Sequence, residues 1–206
     1  MNVLCLSPHT DDAELGAGGT IARMIQDGHR VKVVAFSLCA AEAQNGHVEL
    51  APESEFYNSM AVLGVSDFTM LGYSVRTLPM FRQDILEQLL NLRDAFLPDM
   101  VLMPSLQDCH QDHVTVAKEG LRAFRGCTML GYEMPKNQNQ RFVGACFLPL
   151  KPGHVCVKQD AVRQYESQRF RRLDDGLVQS LAIVRGRQAG CEFAECFEVI
   201  RWIYSW

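Results

Sequence analysis

Short apolar runs alternate with amphipathic segments along the first two thirds of the chain, and this alternation restricts the possible fold more than any other feature. Five runs have the length and composition of buried strands, namely 2–6, 31–37, 67–73, 100–105 and 127–133. Between them, apolar residues recur at helical spacing. Continuous apolar strands that alternate with helices are typical of a parallel sheet covered on both faces. We therefore predict an α/β, Rossmann-like fold with a doubly wound, mostly parallel sheet and helices on both faces.

The pattern loosens in the C-terminal third of the chain. Residues 142–150 resemble a strand, 155–171 and 177–187 resemble helices, and the aromatic-rich segment after 191 is compatible with strand or helix. A length of 206 residues and an apolar content of 48 % suffice for one buried core. We therefore predict a single domain over 1–206, in which a core (1–132) is completed by a less regular C-terminal portion (133–206).

Charge and composition exclude several classes of function. The net charge is −4 and no long run of Lys or Arg occurs, so nucleic-acid binding is not expected. The N-terminal segment reaches acidic residues after a few apolar positions, unlike a signal peptide, and no apolar run has the length of a membrane span. Eight cysteines occur without a C-x-x-C pair, which favours buried packing over a zinc ribbon. We expect a cytoplasmic protein without membrane insertion.

A cluster of charged residues, "PHTDDAE", directly follows the first apolar run. Adjacent carboxylates at the end of a buried strand repel one another unless a cation offsets them. The glycines that come next fit only the start of a dinucleotide-binding G-x-G-x-x-G, because the third position is Ile21, and the carboxylates would repel a pyrophosphate. We interpret Gly18 and Gly19 as a tight turn between strand and helix. The cluster itself favours a metal ion.

A second cluster, "DCHQDH", follows the fourth apolar run in the same way. In a sheet of order 3-2-1-4, strands one and four are neighbours, and their carboxyl ends open a crevice. His9 and Asp12 can then converge on one ion from one wall, and His113 can reach it from the other. Two imidazoles and a carboxylate with open positions are the ligand set of a catalytic zinc site. Either cluster alone is a weak signal, since Asp112 is also a good helix N-cap.

The pair of motifs "PHTDDAE" and "HQDH" resembles the LmbE-like, or PIG-L, family of zinc-dependent N-acetylglucosaminyl deacetylases. The resemblance covers residues 1 to about 132 and implies hydrolysis of the acetamido group of N-acetylated amino sugars or their conjugates. It implies that the zinc ligands are His9, Asp12 and His113, and that Asp11 is the general base. The same ligands tolerate ferrous iron, so we expect Zn²⁺, with Fe²⁺ possible in the cell.

Amide hydrolysis explains why such a site needs further residues. A metal polarises the carbonyl and lowers the pKa of water from about 15.7 towards 7, while Asp11 takes the proton. By the resemblance, His110 stabilises the oxygen that gains charge, with Asp112 beside it. A protonated His110 held by Asp112 would supply a donor typically worth ~3 kcal/mol. Glu14 is expected to hydrogen-bond a ligand or to fix the loop.

The sequence identifies the substrate side less well. The family often has Arg-x-x-Glu before the helix that ends in Leu-Gly, and here Glu55 is present while Pro52 occupies the arginine position. The candidate substrate contacts are Glu42, His47, Arg141 and Arg185, with Tyr132 and Phe142 as possible sugar-stacking rings. Solvated loop positions, a helix end or core packing explain each of these residues as well.

Several functions use this residue pattern. The leading hypothesis is a metal-dependent hydrolase that removes the N-acetyl group from a small-molecule amino sugar or its conjugate. An amidase acting on a larger acyl group or on a thiol–sugar conjugate would use the same centre. Two histidines and a carboxylate also form the facial triad of ferrous oxygenases. A non-catalytic sugar-binding module is the remaining alternative. The aromatic C-terminal segment is core or interface, and we predict a homo-oligomer.

Overall fold

One mixed sheet forms the centre of the computed structural model, which describes residues 1–38, 52–137, 142–171 and 175–203. In the described ranges the sheet has seven strands in the order β3-β2-β1-β4-β5-β7-β6. The strands are β1 (Asn2–His9), β2 (Arg30–Ser37), β3 (Asp67–Tyr73), β4 (Met100–Pro104), β5 (Thr128–Tyr132), β6 (Cys146–Leu150) and β7 (Phe193–Arg201).

The first five strands are parallel, as the sequence predicts. β1 pairs with β2 on one side and with β4 on the other, so the predicted order 3-2-1-4 is confirmed. β7 lies between β5 and β6 and is antiparallel to both. The C-terminal segment that the sequence left open between strand and helix is therefore largely strand, and it extends the sheet beyond β5.

Helices cover both faces of the sheet. They are α1 (Asp12–Gln26), α2 (Pro52–Leu63), α3 (Arg82–Phe96), α4 (Gln111–Ala123), α5 (Pro152–Arg163) and α6 (Asp175–Ala189), with short 3-10 helices at Leu78–Phe81, Pro135–Asn137 and Glu166–Arg171. Successive side chains of β1 pack into different hydrophobic cores, because they point to opposite faces of the sheet. Val3 and Cys5 pack with α1 and α2, whereas Leu4 and Leu6 pack with α3 and α4. Across the described ranges, every helix is too short or too polar to span a lipid bilayer.

Helix α1 begins six residues earlier than the glycines suggest. Gly16, Gly18 and Gly19 lie inside the helix, so the predicted turn at Gly18 and Gly19 is wrong. A Cβ on Gly16 would lie 2.3 Å from the Tyr132 ring, and one on Gly19 would lie 2.5 Å from Leu150. These glycines let the helix approach the sheet closely. The acidic cluster consequently occupies the first turn of α1, where the helix dipole favours negative charge.

Candidate metal centre

The two motifs meet at the carboxyl ends of β1 and β4. His9 is the last residue of β1, Asp12 is the first residue of α1, and His113 lies in the first turn of α4; all three are buried. Asp12 Oδ2 lies 3.0 Å from His9 Nδ1 and 3.0 Å from His113 Nε2. The two ring nitrogens are 3.3 Å apart. Three potential ligand atoms therefore surround one point.

A further carboxylate contacts the second nitrogen of each imidazole, the one that does not face the shared point. His9 Nε2 lies 3.0 Å from Asp112 Oδ2, and His113 Nδ1 lies 2.8 Å from Asp108 Oδ2. Asp112 is itself held by the backbone N–H of Arg76, which donates to Oδ2 at 2.6 Å. Such carboxylates fix the tautomer and the ring orientation of metal-binding histidines. Each ring therefore directs one nitrogen to the shared point and the other to a carboxylate.

The charges in this cluster are strongly coupled. Burial alone would lower the pKa of His9, but the charge of Asp12 and hydrogen bonds with Asp112 and Asp12 outweigh it and raise the pKa to about 9. Burial likewise opposes protonation of His113, yet Asp12 and Asp108 raise its pKa to about 10. Despite burial, the two imidazoles hold the pKa of Asp12 far below its usual range. The cluster is thus built to hold positive charge, as protons or as a cation.

The donor set fits a divalent transition metal ion. An ion about 2.1 Å from each donor, the usual zinc–nitrogen distance, separates the donors by about 3.0 Å at octahedral angles and about 3.4 Å at tetrahedral angles. The separations of 3.0 to 3.3 Å lie within this interval. Two ring nitrogens that face each other and one carboxylate oxygen also match the mixed N and O ligation of zinc and ferrous iron.

His110 borders this point but is oriented differently from the expectation. One nitrogen each of His9, His110 and His113 lie within 4.8 Å of one another. His110 Nδ1 accepts from the Asp112 backbone N–H at 3.2 Å, which makes His110, not Asp112, the N-cap of α4. Because an accepting nitrogen carries no proton, the ring proton lies on Nε2. Burial, together with the charges of His113 and His9, lowers the pKa of His110.

A neutral His110 is therefore the form that this geometry favours. The sequence predicts a protonated His110 held by the Asp112 carboxylate, but this carboxylate contacts His9 instead. A neutral imidazole still offers one hydrogen bond from Nε2. His110 thus keeps the capacity to stabilise a developing negative charge, and Asp112 supports His9.

Asp11 stands next to the ligand cluster at the start of α1. It is the N-cap residue and only 3 % exposed, yet its side chain makes no capping hydrogen bond. Its backbone carbonyl accepts from Leu15 N at 3.1 Å, as expected for a helix start. Aspartate at this position normally caps the helix with its side chain. The Asp11 carboxylate therefore does not cap the helix, and its place at the start of α1 is compatible with a general-base function.

Glu14 fixes the start of α1 instead of contacting a metal ligand. It is completely buried, and its Oε1 accepts from Ser59 Oγ at 2.6 Å and lies 2.6 Å from the Tyr165 hydroxyl. Burial raises the pKa of Glu14 to about 8, so the carboxyl group is mostly protonated at neutral pH. Of its two expected roles, the geometry supports fixing the loop.

Of the four candidate substrate contacts, only Arg185 lies among the described residues. Glu42, His47 and Arg141 lie outside the described residues. Arg185 on α6 donates from Nε to Glu133 Oε2 at 2.9 Å and forms a second bond to Glu133 Oε1, so its guanidinium is held by a carboxylate that follows β5. A substrate role for these four residues stays a prediction.

The aromatic candidates and Glu55 have structural contacts. Tyr132 is fully buried and donates its hydroxyl proton to Leu6 O at 3.0 Å, so a sugar-stacking role is wrong for this ring. Phe142 lies 5.7 Å below the Arg185 guanidinium. Glu55 accepts from the backbone N–H of Ser167 at 2.9 Å and from its hydroxyl at 2.6 Å. Glu55 therefore holds the 3-10 helix that follows α5.

One carboxylate of the site, that of Asp108, is not identified by the sequence motifs. Asp108 contacts His113 and also accepts from the His110 backbone N–H at 2.8 Å. Its signal was its position in the segment after β4, five residues before His113. Its partner could not be identified without the geometry of the turn.

A match to a protein-family model shows which family the chain belongs to. The model described as "PIG-L: GlcNAc-PI de-N-acetylase" matches residues 4–124, more than half of the chain and a range that contains both motifs. The chain belongs to the PIG-L family. The resemblance inferred from the two motifs is therefore confirmed.

Proteins similar to this PIG-L family chain include two deacetylases and a hydratase. The diacetylchitobiose deacetylase of Thermococcus kodakarensis is 26 % identical and covers 98 % of this chain and 84 % of that protein. The N,N'-diacetylchitobiose deacetylase structure from Pyrococcus horikoshii superposes with a TM-score of 0.75 at 21 % identity, covering 97 % of this chain and 83 % of that one. GalB, the 4-carboxy-2-hydroxymuconate hydratase of Pseudomonas putida, superposes with a TM-score of 0.83 at 20 % identity, covering 99 % and 98 %. The fold thus carries more than one reaction.

Proposed function

We propose that this PIG-L family chain is a metal-dependent deacetylase that hydrolyses the acetamido group of an N-acetylated amino sugar or its conjugate. The observation that carries the proposal is the convergence of His9 Nδ1, Asp12 Oδ2 and His113 Nε2 within 3.3 Å, with Asp11 directly before Asp12 in the chain. The match to the de-N-acetylase family model and the 26 % identical deacetylase of Thermococcus kodakarensis support the reaction class. We propose Zn²⁺ as the ion, with Fe²⁺ as the cellular alternative, and a homo-oligomer in the cytoplasm.

The proposed mechanism assigns one task to each residue around the centre. A bound divalent ion would polarise the acetamide carbonyl and lower the pKa of water. Asp11 takes a proton from the attacking water and returns it to the amine nitrogen as the C–N bond breaks, giving acetate and a free amine. His110 donates its Nε2 proton in a hydrogen bond to the carbonyl oxygen as that oxygen gains negative charge. Asp108 and Asp112 keep the two imidazole ligands in orientation.

The alternative functions differ from the proposed one in whether they need Asp11 as a base and in which substrate they act on. A ferrous oxygenase needs no carboxylate base beside its triad, whereas here the carboxylate residue Asp11 directly precedes the ligand residue Asp12. A hydratase shares the fold, but a likeness at 20 % identity does not carry over the reaction. A non-catalytic sugar-binding module would leave every acetamide intact. An amidase for larger acyl groups would use the same residues, so only the substrates that the enzyme cleaves can distinguish it from a deacetylase.

Acetate release across a substrate panel tests the proposal. The metal-loaded enzyme, with Zn²⁺ or with Fe²⁺ under anaerobic conditions, is incubated with free, nucleotide-linked and lipid-linked N-acetylhexosamines and with diacetylchitobiose. Mass spectrometry should show the loss of one acetyl group from at least one substrate, and chelated enzyme should be inactive. A folded, metal-loaded protein that leaves the whole panel intact, yet cleaves longer acyl amides, would instead be an amidase.

Metal binding should release protons. In the metal-free protein the pKa values of about 9 for His9 and about 10 for His113 mean that both rings are protonated at pH 7. An ion displaces the protons from the facing nitrogens, so we expect up to two protons per ion at pH 7 and a metal affinity that rises towards pH 9. Calorimetric titrations in buffers of different ionisation enthalpy measure this release. Binding without proton release at pH 7 contradicts the ligand assignment.

A further inference from the structure

The backbone around the motif "PHTDD" is held by three buried hydroxyl groups. Three consecutive carbonyls, from Pro8 to Thr10, each accept a hydrogen bond from a side-chain hydroxyl. The pairs are Ser37 Oγ with Pro8 O (2.9 Å), Ser7 Oγ with His9 O (2.5 Å), and Tyr165 Oη with Thr10 O. Ser7 and Ser37 belong to the parallel strands β1 and β2, whereas Tyr165 comes from the C-terminal part of the chain. The turn that carries the site is therefore fixed from two sides.

Tyr165 is well placed to hold this turn. It follows α5, is 3 % exposed, and its ring packs into the same core as β1 and α1. Its hydroxyl also lies 2.6 Å from Glu14 Oε1, which Ser59 Oγ contacts from α2. Tyr165 lies outside the range that matches the family model, residues 4–124. Its contact with Thr10 spans 155 positions of sequence.

We propose that Tyr165 is a positioning residue for Asp11, an inference that rests on the proposed function, in which Asp11 is the general base. The Thr10 carbonyl and the Asp11 nitrogen belong to one planar peptide unit. A hydrogen bond to that carbonyl therefore fixes the plane from which the Asp11 side chain starts. The Asp11 side chain leaves the main chain directly after this peptide unit, at the N-cap position of α1.

Asp12 depends less on this contact. Its Oδ2 accepts from the His9 backbone N–H at 2.9 Å, and the next residue, Ala13, donates its N–H to Ser7 Oγ at 2.9 Å. The ligand end of the turn therefore keeps its own anchors when the Tyr165 hydroxyl is removed. Loss of that hydroxyl should affect proton transfer by Asp11 more than ligation by Asp12.

The test compares Tyr165→Phe with Tyr132→Phe. Both substitutions remove one buried hydroxyl that donates to a backbone carbonyl in or just after β1, and both leave the ring in the same core. For Tyr165→Phe we expect kcat to fall about 10- to 100-fold, the range seen when supporting contacts of such centres are lost, with KM within about twofold. The acid limb of the kcat pH profile should shift, and the visible spectrum of the Co²⁺-loaded protein should stay unchanged. Tyr132→Phe should keep kcat near that of the wild type.

Amide hydrogen exchange tests the inference independently of turnover. Exchange at residues 9–13 should be faster in Tyr165→Phe than in Tyr132→Phe, when both are compared at equal distance below their melting temperatures. Equal exchange in this segment, or an equal kcat in both variants, overturns the inference. If the wild type cleaves nothing in the substrate panel, the proposed function fails, and the exchange result still decides whether Tyr165 holds the turn.

Discussion

Asp11→Asn should reduce turnover by about 10²- to 10⁴-fold while the protein keeps one metal ion. The substitution preserves size and shape but removes the group that takes the proton of the attacking water, and general-base catalysis typically contributes this much. Asp11 supplies none of the three atoms that converge at the centre, so the metal ion should still be bound. Acetate release under saturating substrate, together with metal content by mass spectrometry, measures both parts of the result.

A matched control lies at the other end of the same helix. Asp27 follows α1 as its C-cap and is half-exposed, so Asp27→Asn makes the same chemical change far from the centre. We expect this variant to retain activity close to that of the wild type. Near-normal turnover by Asp11→Asn would remove Asp11 as the base. Loss of metal from Asp11→Asn would instead make it part of the ligand shell.

The position of the site could be predicted because it depends on strand order. Apolar runs and helical spacing identify the strands, and a parallel sheet of order 3-2-1-4 brings the ends of β1 and β4 together. The start of α1 could not be predicted in this way. Gly18 and Gly19 favour a turn locally, but they lie inside α1, where the Tyr132 ring approaches Gly16 and Leu150 approaches Gly19 so closely that an added Cβ would clash. Packing partners distant in sequence overrode the local preference.

Which carboxylate pairs with which imidazole could not be predicted from the sequence for a similar reason. Asp112 was expected to support its neighbour His110, and it supports His9, 103 positions away, because the α4 start turns its carboxylate towards β1. The backbone N–H of Arg76, which has a positive φ of 67°, fixes that carboxylate from a third segment. Side-chain direction at a turn depends on such contacts. Motifs therefore predict which residues meet, but not which partner each one serves.

His113→Ala should remove the metal almost completely. His113 supplies one of three converging ligand atoms and the only one from α4, so two ligands on one wall would remain. The substitution also removes the imidazole of His113 from the buried carboxylates of Asp12 and Asp108, and breaking such pairs costs about 3 to 5 kcal/mol. His113→Gln keeps a polar group at the position and serves as a second variant if the alanine protein does not fold.

His154→Ala is the matched control for the loss of His113. Each histidine is buried and is the third residue of its helix, but His154 accepts from the backbone N–H of Lys151, the N-cap of α5, and contacts Gln26, at the opposite end of α1 from Asp12. Metal content after desalting should fall from one equivalent to near zero in both His113 variants, with no acetate release, and should stay at one equivalent in His154→Ala. One tightly held ion in a folded His113 variant would exclude His113 as a ligand. The three-donor centre on which the proposed hydrolysis depends would then have to be assigned differently, with His110 as the next nitrogen in reach.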